Sequence, residues 1–339
     1  MVKENQINWS LLALLRMVLA TIIAGGHLVW LEDDSFTSGL ASLGGKAAVA
    51  GFLVVSGFSI AASLDRNQTD FYFRRFKRIY PMYFSAVTFA ILLEVWLGTY
   101  QLPSYIVEAR GPITAIGNVL MLQTFLVRSI AYNGVVWSLA VECAFYIISP
   151  YLRQLPMYGW AALLLISMAF FVLPHSFDGG TLYTLALKAN VVKYFWPFAT
   201  GFLLYKHQSK AVALVFGATG AALIWGSDFN QERFAVATFV CSFAIVALSR
   251  TVVFEQSKIL DYLGDLSYPL YLIQLPTFIL TYRLFGITNP ALLLPIAFAA
   301  TIIAYELIDV RVKRAVFGNS RSFGELISWP RLRIDERTS

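Results

Sequence analysis

The chain has 339 residues, is 58% hydrophobic and 14% charged, and has a mean hydropathy of +0.65. A soluble domain carries about 25% charged residues, so these values exclude a soluble globular protein and predict an all-α polytopic membrane helix bundle. The net charge of +6 is assigned to membrane sidedness and not to nucleic-acid binding, because basic loops on one side are topology determinants.

Ten apolar spans are predicted in chain order: 9–31, 43–64, 79–98, 136–154, 159–175, 186–205, 210–226, 231–249, 264–285 and 289–309. Residues 113–130 are apolar but short for a crossing of about 20 residues, and are expected to form an interfacial or re-entrant helix. The first span has no small-residue cleavage site and reads as a retained helix, not a signal peptide. Basic residues fall on alternate loops: Arg66, Arg74, Arg75, Lys77 and Arg78, then Arg153, then Lys206 and Lys210, then Arg250 and Lys258, then Arg311, Lys313 and Arg314. Acidic residues mark the other side: Glu32, Asp33 and Asp34, then Asp178, then Asp228 and Glu232. This alternation predicts that both termini are cytoplasmic. The expected organisation is one integral membrane domain over 1–314, with a polar cytoplasmic tail over 315–339. Cys143 and Cys241 lie in apolar spans, so no disulfide framework is expected. His175 and His207 lie in or beside loops and read as surface residues. No Cys/His metal spacing, phosphate-binding glycine loop or nucleophile elbow is present, and no metal is expected.

Four polar features interrupt the apolar spans. Arg16 and His27 share the first span, and ionisable residues at that depth cost several kcal/mol unless partnered or functional. Eleven residues turn a helix through about 1100°, so the two share a face, roughly 16 Å apart along the axis. On the predicted sidedness, Arg16 lies toward the cytoplasm and His27 toward the outside. A neutral imidazole can act as a general base near pH 7. Arg74, Arg75 and Arg78 precede span 3, with 74 and 78 on one face and 75 beside it. Such guanidinium clusters suit phosphate oxygens, whether of anionic lipid or of a phosphorylated cosubstrate such as coenzyme A. Trp137, Ser138 and Glu142 open span 4, with Ser138 and Glu142 four residues apart on one face. Ser267, Tyr271 and Gln274, beside Tyr268, make a polar stripe in span 9. Smaller signals are Ser56 inside span 2 and Lys46 near its outer end.

Taken in order, these segments resemble the membrane acyltransferase-3 family. The spacing of Arg16 and His27 is similar to its arginine, ten residues, histidine pattern. FLVVSGF (Phe52 to Phe58), RRFKRIYP (Arg74 to Pro81), WSLAVECAFYIISP (Trp137 to Pro150) and SYPLYLIQLP (Ser267 to Pro276) resemble its other motifs, the third most specifically. Gln274 stands where the family often has histidine, Leu53 replaces a phenylalanine, and IDVRVKR (Ile308 to Arg314) lacks a proline. The resemblance implies transfer of an acyl group, most often acetyl and in some members succinyl, from cytoplasmic acyl-CoA to a hydroxyl of an exopolysaccharide or other surface glycan, or its lipid-linked precursor. It also implies a lipid bilayer setting, the bacterial inner membrane, and a single-domain arrangement. On that reading His27, Arg16 and Glu142 are catalytic, and Arg74, Arg75 and Arg78 hold the donor. Lys46, Ser56, Trp137, Ser138, Tyr268, Tyr271 and Gln274 line the substrate channel. A transporter or exporter of a lipid-linked sugar or anion is the competing class, since buried charges suit a substrate pathway equally well. The halves show no inverted repeat of the kind many transporters carry. A passive scaffold in a polysaccharide export complex is a third possibility, but would leave the buried charges without a purpose.

Overall fold

The computed structural model describes residues 7–172, 189–252 and 255–318. Each of the ten apolar spans falls on a helix, as far as those residues reach. His175, Asp178, the adjoining ends of the fifth and sixth spans and the tail beyond residue 318 lie outside the described residues. Helix α1 (Trp9–His27) ends in a 3-10 turn, Leu28–Trp30, and is followed by the short α2 (Ser35–Ala41). Then come α3 (Gly45–Arg66) and α4 (Phe71–Leu97). A two-stranded antiparallel hairpin, β1 (Tyr100–Gln101) with β2 (Ile106–Val107), leads to α5 (Gly111–Val119). The 3-10 segment Ala131–Val136 enters α6 (Trp137–Leu152), followed by α7 (Met157–Val172). The remaining helices are α8 (Phe195–Lys206), α9 (Lys210–Trp225), α10 (Ala235–Leu248), α11 (Lys258–Phe285) and α12 (Pro290–Ala304). The last continues as a π-helical stretch, Tyr305–Val312, into α13 (Lys313–Phe317).

Among the described residues, five helical stretches are long and apolar enough to cross a bilayer: Trp9–Trp30, Ser35–Arg66, Phe71–Leu97, Ala131–Leu152 and Pro290–Phe317. Three shorter helices, α7, α9 and α10, are also apolar. The chain is an all-α, multi-pass membrane protein. Helix α4 begins eight residues before its apolar span, because hydropathy reports the lipid-matched part of a helix and not its basic first turns. Helix α11 likewise begins at Lys258, where Ser10 Oγ donates to Asp261 Oδ1 at 2.7 Å. The short apolar stretch after β2 is a nine-residue helix followed by a reversal through Met121 and Thr124, both at positive φ (57° and 75°). Asn118 staples that reversal, donating to the Arg128 carbonyl (2.8 Å) and accepting from Ile130 N (3.0 Å).

Two helix seams set the frame. In α3 and α8 a Cβ on Gly57 would fall 1.9 Å from the Phe198 carbonyl oxygen, and one on Gly201 would fall 2.0 Å from that of Val54. The two backbones therefore touch, which in lipid provides the packing that water would otherwise drive. The other seam joins α1 to α11. A Cβ on Gly264 would lie 2.4 Å from Ala13 Cβ and 3.1 Å from Arg16 Nη2. Ser10 meets Asp261, Ala13 meets Gly264, and His27 lies beside Gln274. The contacts advance together along both helices, so α1 and α11 run parallel.

Candidate active site

The polar residues converge between α1, α3, α4, α6 and α11. They line a cavity of about 100 Å³, whose walls include Arg16, Ser56, Arg75, Arg78, Ser138, Glu142, Tyr146, Tyr268 and Tyr271. At its centre is Glu142. Its Oε1 accepts from Ser56 Oγ at 2.5 Å and from the Tyr146 hydroxyl, which Ser56 also contacts at 3.2 Å. A half-buried carboxylate within a bundle calls for such donors and a nearby cation. Arg16 and Arg75 both lie within electrostatic reach of Glu142. The Arg75 guanidinium sits over the rings of Phe71 (5.6 Å) and Tyr146 (5.8 Å), and its buried Nε has no hydrogen-bond partner among the described residues.

Asp265 completes the charge set. It interacts with Arg16 and Arg78 and accepts from the Tyr305 hydroxyl at 3.4 Å. Asp309 is committed to Lys313, 3.1 Å away, and Lys313 also donates to the Arg78 carbonyl at 3.4 Å. The π-helical end of α12 thus delivers both Tyr305 and Asp309 to this corner. Three guanidinium groups, Arg16, Arg75 and Arg78, face two carboxylates, Glu142 and Asp265. That balance leaves the cavity attractive to an anion.

A hydroxyl cluster lines another part of the cavity. Ser138 Oγ and the Tyr271 hydroxyl are 2.5 Å apart, and Tyr271 donates to the Val135 carbonyl at 2.7 Å. The Phe52 ring packs 6.1 Å from that of Tyr271. Tyr268 donates to the Ile79 carbonyl at 2.8 Å, tying α11 to α4 just before Pro81.

Other expected site residues lie elsewhere. His27 and Gln274 sit beyond the Tyr271 end, outside the cavity walls, next to each other. The His27 ring packs edge-on against Trp30 (5.4 Å). Arg74 turns away: its guanidinium donates to the Asn67 carbonyl at 2.6 Å and to that of Thr69. Trp137 packs on Tyr194, ring centroids 4.9 Å apart. Lys46 is exposed, with its ammonium 5.9 Å from the Phe229 ring and its backbone N–H donating to Glu232 at 3.3 Å. His207 is exposed. Asp265 and Tyr305 carry no expectation from the sequence, and Phe52 carries only its place in the FLVVSGF motif. An acidic residue three positions before Tyr268 on the polar-stripe helix is the signal that could have identified Asp265. Among the described residues no group of three or more His, Cys, Asp or Glu side chains could hold a metal ion.

A family model described as an acyltransferase domain matches residues 10–308. The chain has no match among curated proteins or solved structures. The matched segment begins within α1, ends in the π-helical turn, and contains every wall of the arginine-lined cavity. The chain belongs to the acyltransferase-3 family and is a membrane acyltransferase.

Proposed function

We propose that the protein is an integral membrane O-acyltransferase that moves an acetyl group from cytoplasmic acetyl-CoA to a hydroxyl of an exopolysaccharide or similar surface glycan. The observation that carries this reading is the convergence of Arg16, Arg75 and Arg78 on a single cavity, with His27 on the same helix as Arg16 and outside the cavity walls. The proposed topology has ten crossings of a bacterial inner membrane and both termini in the cytoplasm. The parallel course of α1 and α11 supports it, because the first and ninth of ten crossings must run in the same direction.

Arg75 and Arg78 bind the donor's phosphates, and Arg74, committed to loop carbonyls, does not. Glu142, Ser56 and Tyr146 hold the guanidinium groups in place. His27 takes the proton of the acceptor hydroxyl as its oxygen bonds to the thioester carbonyl carbon. The carbon–sulfur bond breaks and the thiolate receives the proton. A thioester is already activated, so a base and a clamp for developing charge suffice. The test is acetyl-CoA consumption by purified protein in the presence of the cell's surface polysaccharide. His27→Ala abolishes transfer while the protein still inserts and folds; near-normal transfer in that variant refutes the mechanism. The mass increment on the polysaccharide distinguishes an acetyl from a succinyl ester. A protein that moves a lipid-linked sugar without consuming thioester is a transporter instead.

A further inference from the structure

A second pocket, of about 430 Å³, opens on the surface where α6 and α8 end and α7 begins. Leu155, Met157, Trp160, Lys206 and His207 line it, and it shares no wall residue with the arginine-lined cavity. Its floor is aromatic and packed: Trp160 is 2% exposed, with its ring 5.3 Å from that of Phe202 and stacked on Phe195 at 6.3 Å. Its rim is cationic. The Lys206 ammonium lies 5.7 Å from the Phe202 ring and donates to the Arg153 carbonyl at 2.8 Å. That bond holds the ammonium in place and uses one of its three N–H donors. One carboxylate, Asp65, is within electrostatic reach of Arg153, Lys206 and Arg250, and its Oδ1 is engaged by Arg153 at 3.2 Å. Positive charge is therefore in excess beside the pocket. The apolar wall continues out of it. Met157, Tyr158, Ala161, Ala162, Leu165 and Ile166 form one exposed stripe along α7, while Trp160 and Leu164 bury the other face.

We propose that this pocket binds the phosphodiester of an anionic phospholipid. Phosphate oxygens accept from Lys206 and His207 in charge-assisted hydrogen bonds. The glycerol and first methylenes pack on Leu155, Met157 and Trp160, and an acyl chain follows the stripe along α7. Basic pockets between membrane helices suit such headgroups. The choline or ethanolamine cation of a zwitterionic lipid meets the same excess positive charge and is disfavoured. Inorganic phosphate offers the same oxygens but nothing for the apolar wall. The proposal uses only the membrane setting and does not rest on the acyl-transfer reading.

The experiment is thermal unfolding of the detergent-purified full chain, titrated at matched ionic strength with dihexanoyl phosphatidylglycerol, dihexanoyl phosphatidylcholine or sodium phosphate. A ligand that binds the folded state raises the midpoint as its concentration rises. Phosphatidylglycerol is expected to raise it at concentrations where phosphatidylcholine and inorganic phosphate do not. Lys206→Gln and Met157→Glu should each weaken the apparent affinity about fivefold, the scale of one charge near an anionic lipid. Lys210→Ala, which removes an exposed cation outside the pocket walls, should leave the response intact. Met157 is exposed, so its variant keeps the test open if Lys206→Gln, which loses a charged contact to Arg153, fails to fold. An equal response to inorganic phosphate overturns the lipid as the source of the anion, and an equal response to phosphatidylcholine overturns the charge preference. A wild-type response in Met157→Glu, or an equal loss in Lys210→Ala, overturns the pocket as the site.

Discussion

The α1–α11 seam offers the sharpest test of how the structure places Arg16. Gly264→Ala adds one methyl group, 2.4 Å from Ala13 Cβ, 2.8 Å from Ala13 Cα and 3.1 Å from Arg16 Nη2. Ordinary carbon contacts begin near 3.5 Å, so the helices must part by about an ångström. Overpacking of this kind costs about 1–3 kcal/mol of stability. The catalytic penalty is larger: a 1 Å misplacement of a positioning group can cost about a hundredfold in rate. Arg16, which the new methyl group also meets, moves with α1. Gly264→Ala is therefore expected to remain folded in detergent, with a modestly lower thermal midpoint, while acyl transfer falls about a hundredfold. Ala13→Gly in the same chain should restore activity in part, since it removes the closest contact but leaves Ala13 Cα in place. Purified Gly264→Ala with a wild-type midpoint and rate would show that the helices do not meet here and that Arg16 is held by something else.

The remaining predictions concern the cavity and the outer loop. Arg75→Ala should raise the KM for acetyl-CoA at least tenfold, consistent with about 1.5–3 kcal/mol for a hydrogen bond to a charged group. Arg74→Ala should leave it near wild type; equal effects in steady-state assays would refute the division between them. Glu142→Leu removes the acceptor of Ser56 and Tyr146 and the counter-charge of the nearby arginines. It should destabilise the fold by about 3–5 kcal/mol, whereas Glu142→Gln, which still accepts both hydrogen bonds, should lose less; thermal unfolding ranks the pair. At the start of α2, hydrogen bonds from the Thr37 backbone and side chain hold the Asp34 carboxyl below its ordinary value. A depressed carboxyl pKa stabilises above the unfolded value and loses that contribution as pH falls through the folded one. Amide exchange over 35–41 should therefore accelerate only below about pH 4; acceleration between pH 5 and 7 would contradict the capping.

The spans were legible because lipid imposes length and hydropathy on every crossing, and each stretch that meets those terms is a helix. Which polar groups meet across the bundle was not, because periodicity fixes a face but not the neighbour it meets. Arg74 and Arg75 show the limit. Arg78 is four residues from one and three from the other, so helical spacing puts both beside it. The structure brings Arg75 to Arg78 and bends Arg74 back onto the Asn67 and Thr69 carbonyls. The turn that presents those carbonyls enters the helix through a left-handed Asp70, a conformation that residue spacing does not encode. Lys46 and Trp137 were assigned to the channel on the family resemblance. In the structure they lie beside Phe229 and Tyr194, outside the walls of the arginine-lined cavity. The spacing of Arg16 and His27 was read as a shared face, and it holds as one helix. It did not reveal that Arg16 lines the cavity and His27 does not.

That separation bears on how water is kept from a thioester. Tyr271 lines the anion-attracting cavity and the imidazole does not, and the Tyr271 hydroxyl meets both Ser138 and the Val135 carbonyl. Each such bond contributes about 0.5–1.5 kcal/mol, so freeing the tyrosine costs a few kcal/mol. A ligand shifts an equilibrium only by its differential affinity for the two states. Donor binding at the arginines can offset that cost only if the bound thioester fits the open arrangement better than the closed one. Val135 lies in the same 3-10 segment as Asn133, whose backbone is non-helical (φ −148°, ψ 63°) and whose side chain is anchored to the Leu272 carbonyl at 2.8 Å. Movement of α11 would therefore carry the barrier's acceptor with it. On the proposed reading, donor binding would open a path from the arginine cavity to the imidazole, which packs against Trp30. Under this arrangement Tyr271→Ala, which leaves no hydroxyl barrier, should raise acetyl-CoA hydrolysis relative to transfer, and an unchanged ratio would place the barrier elsewhere.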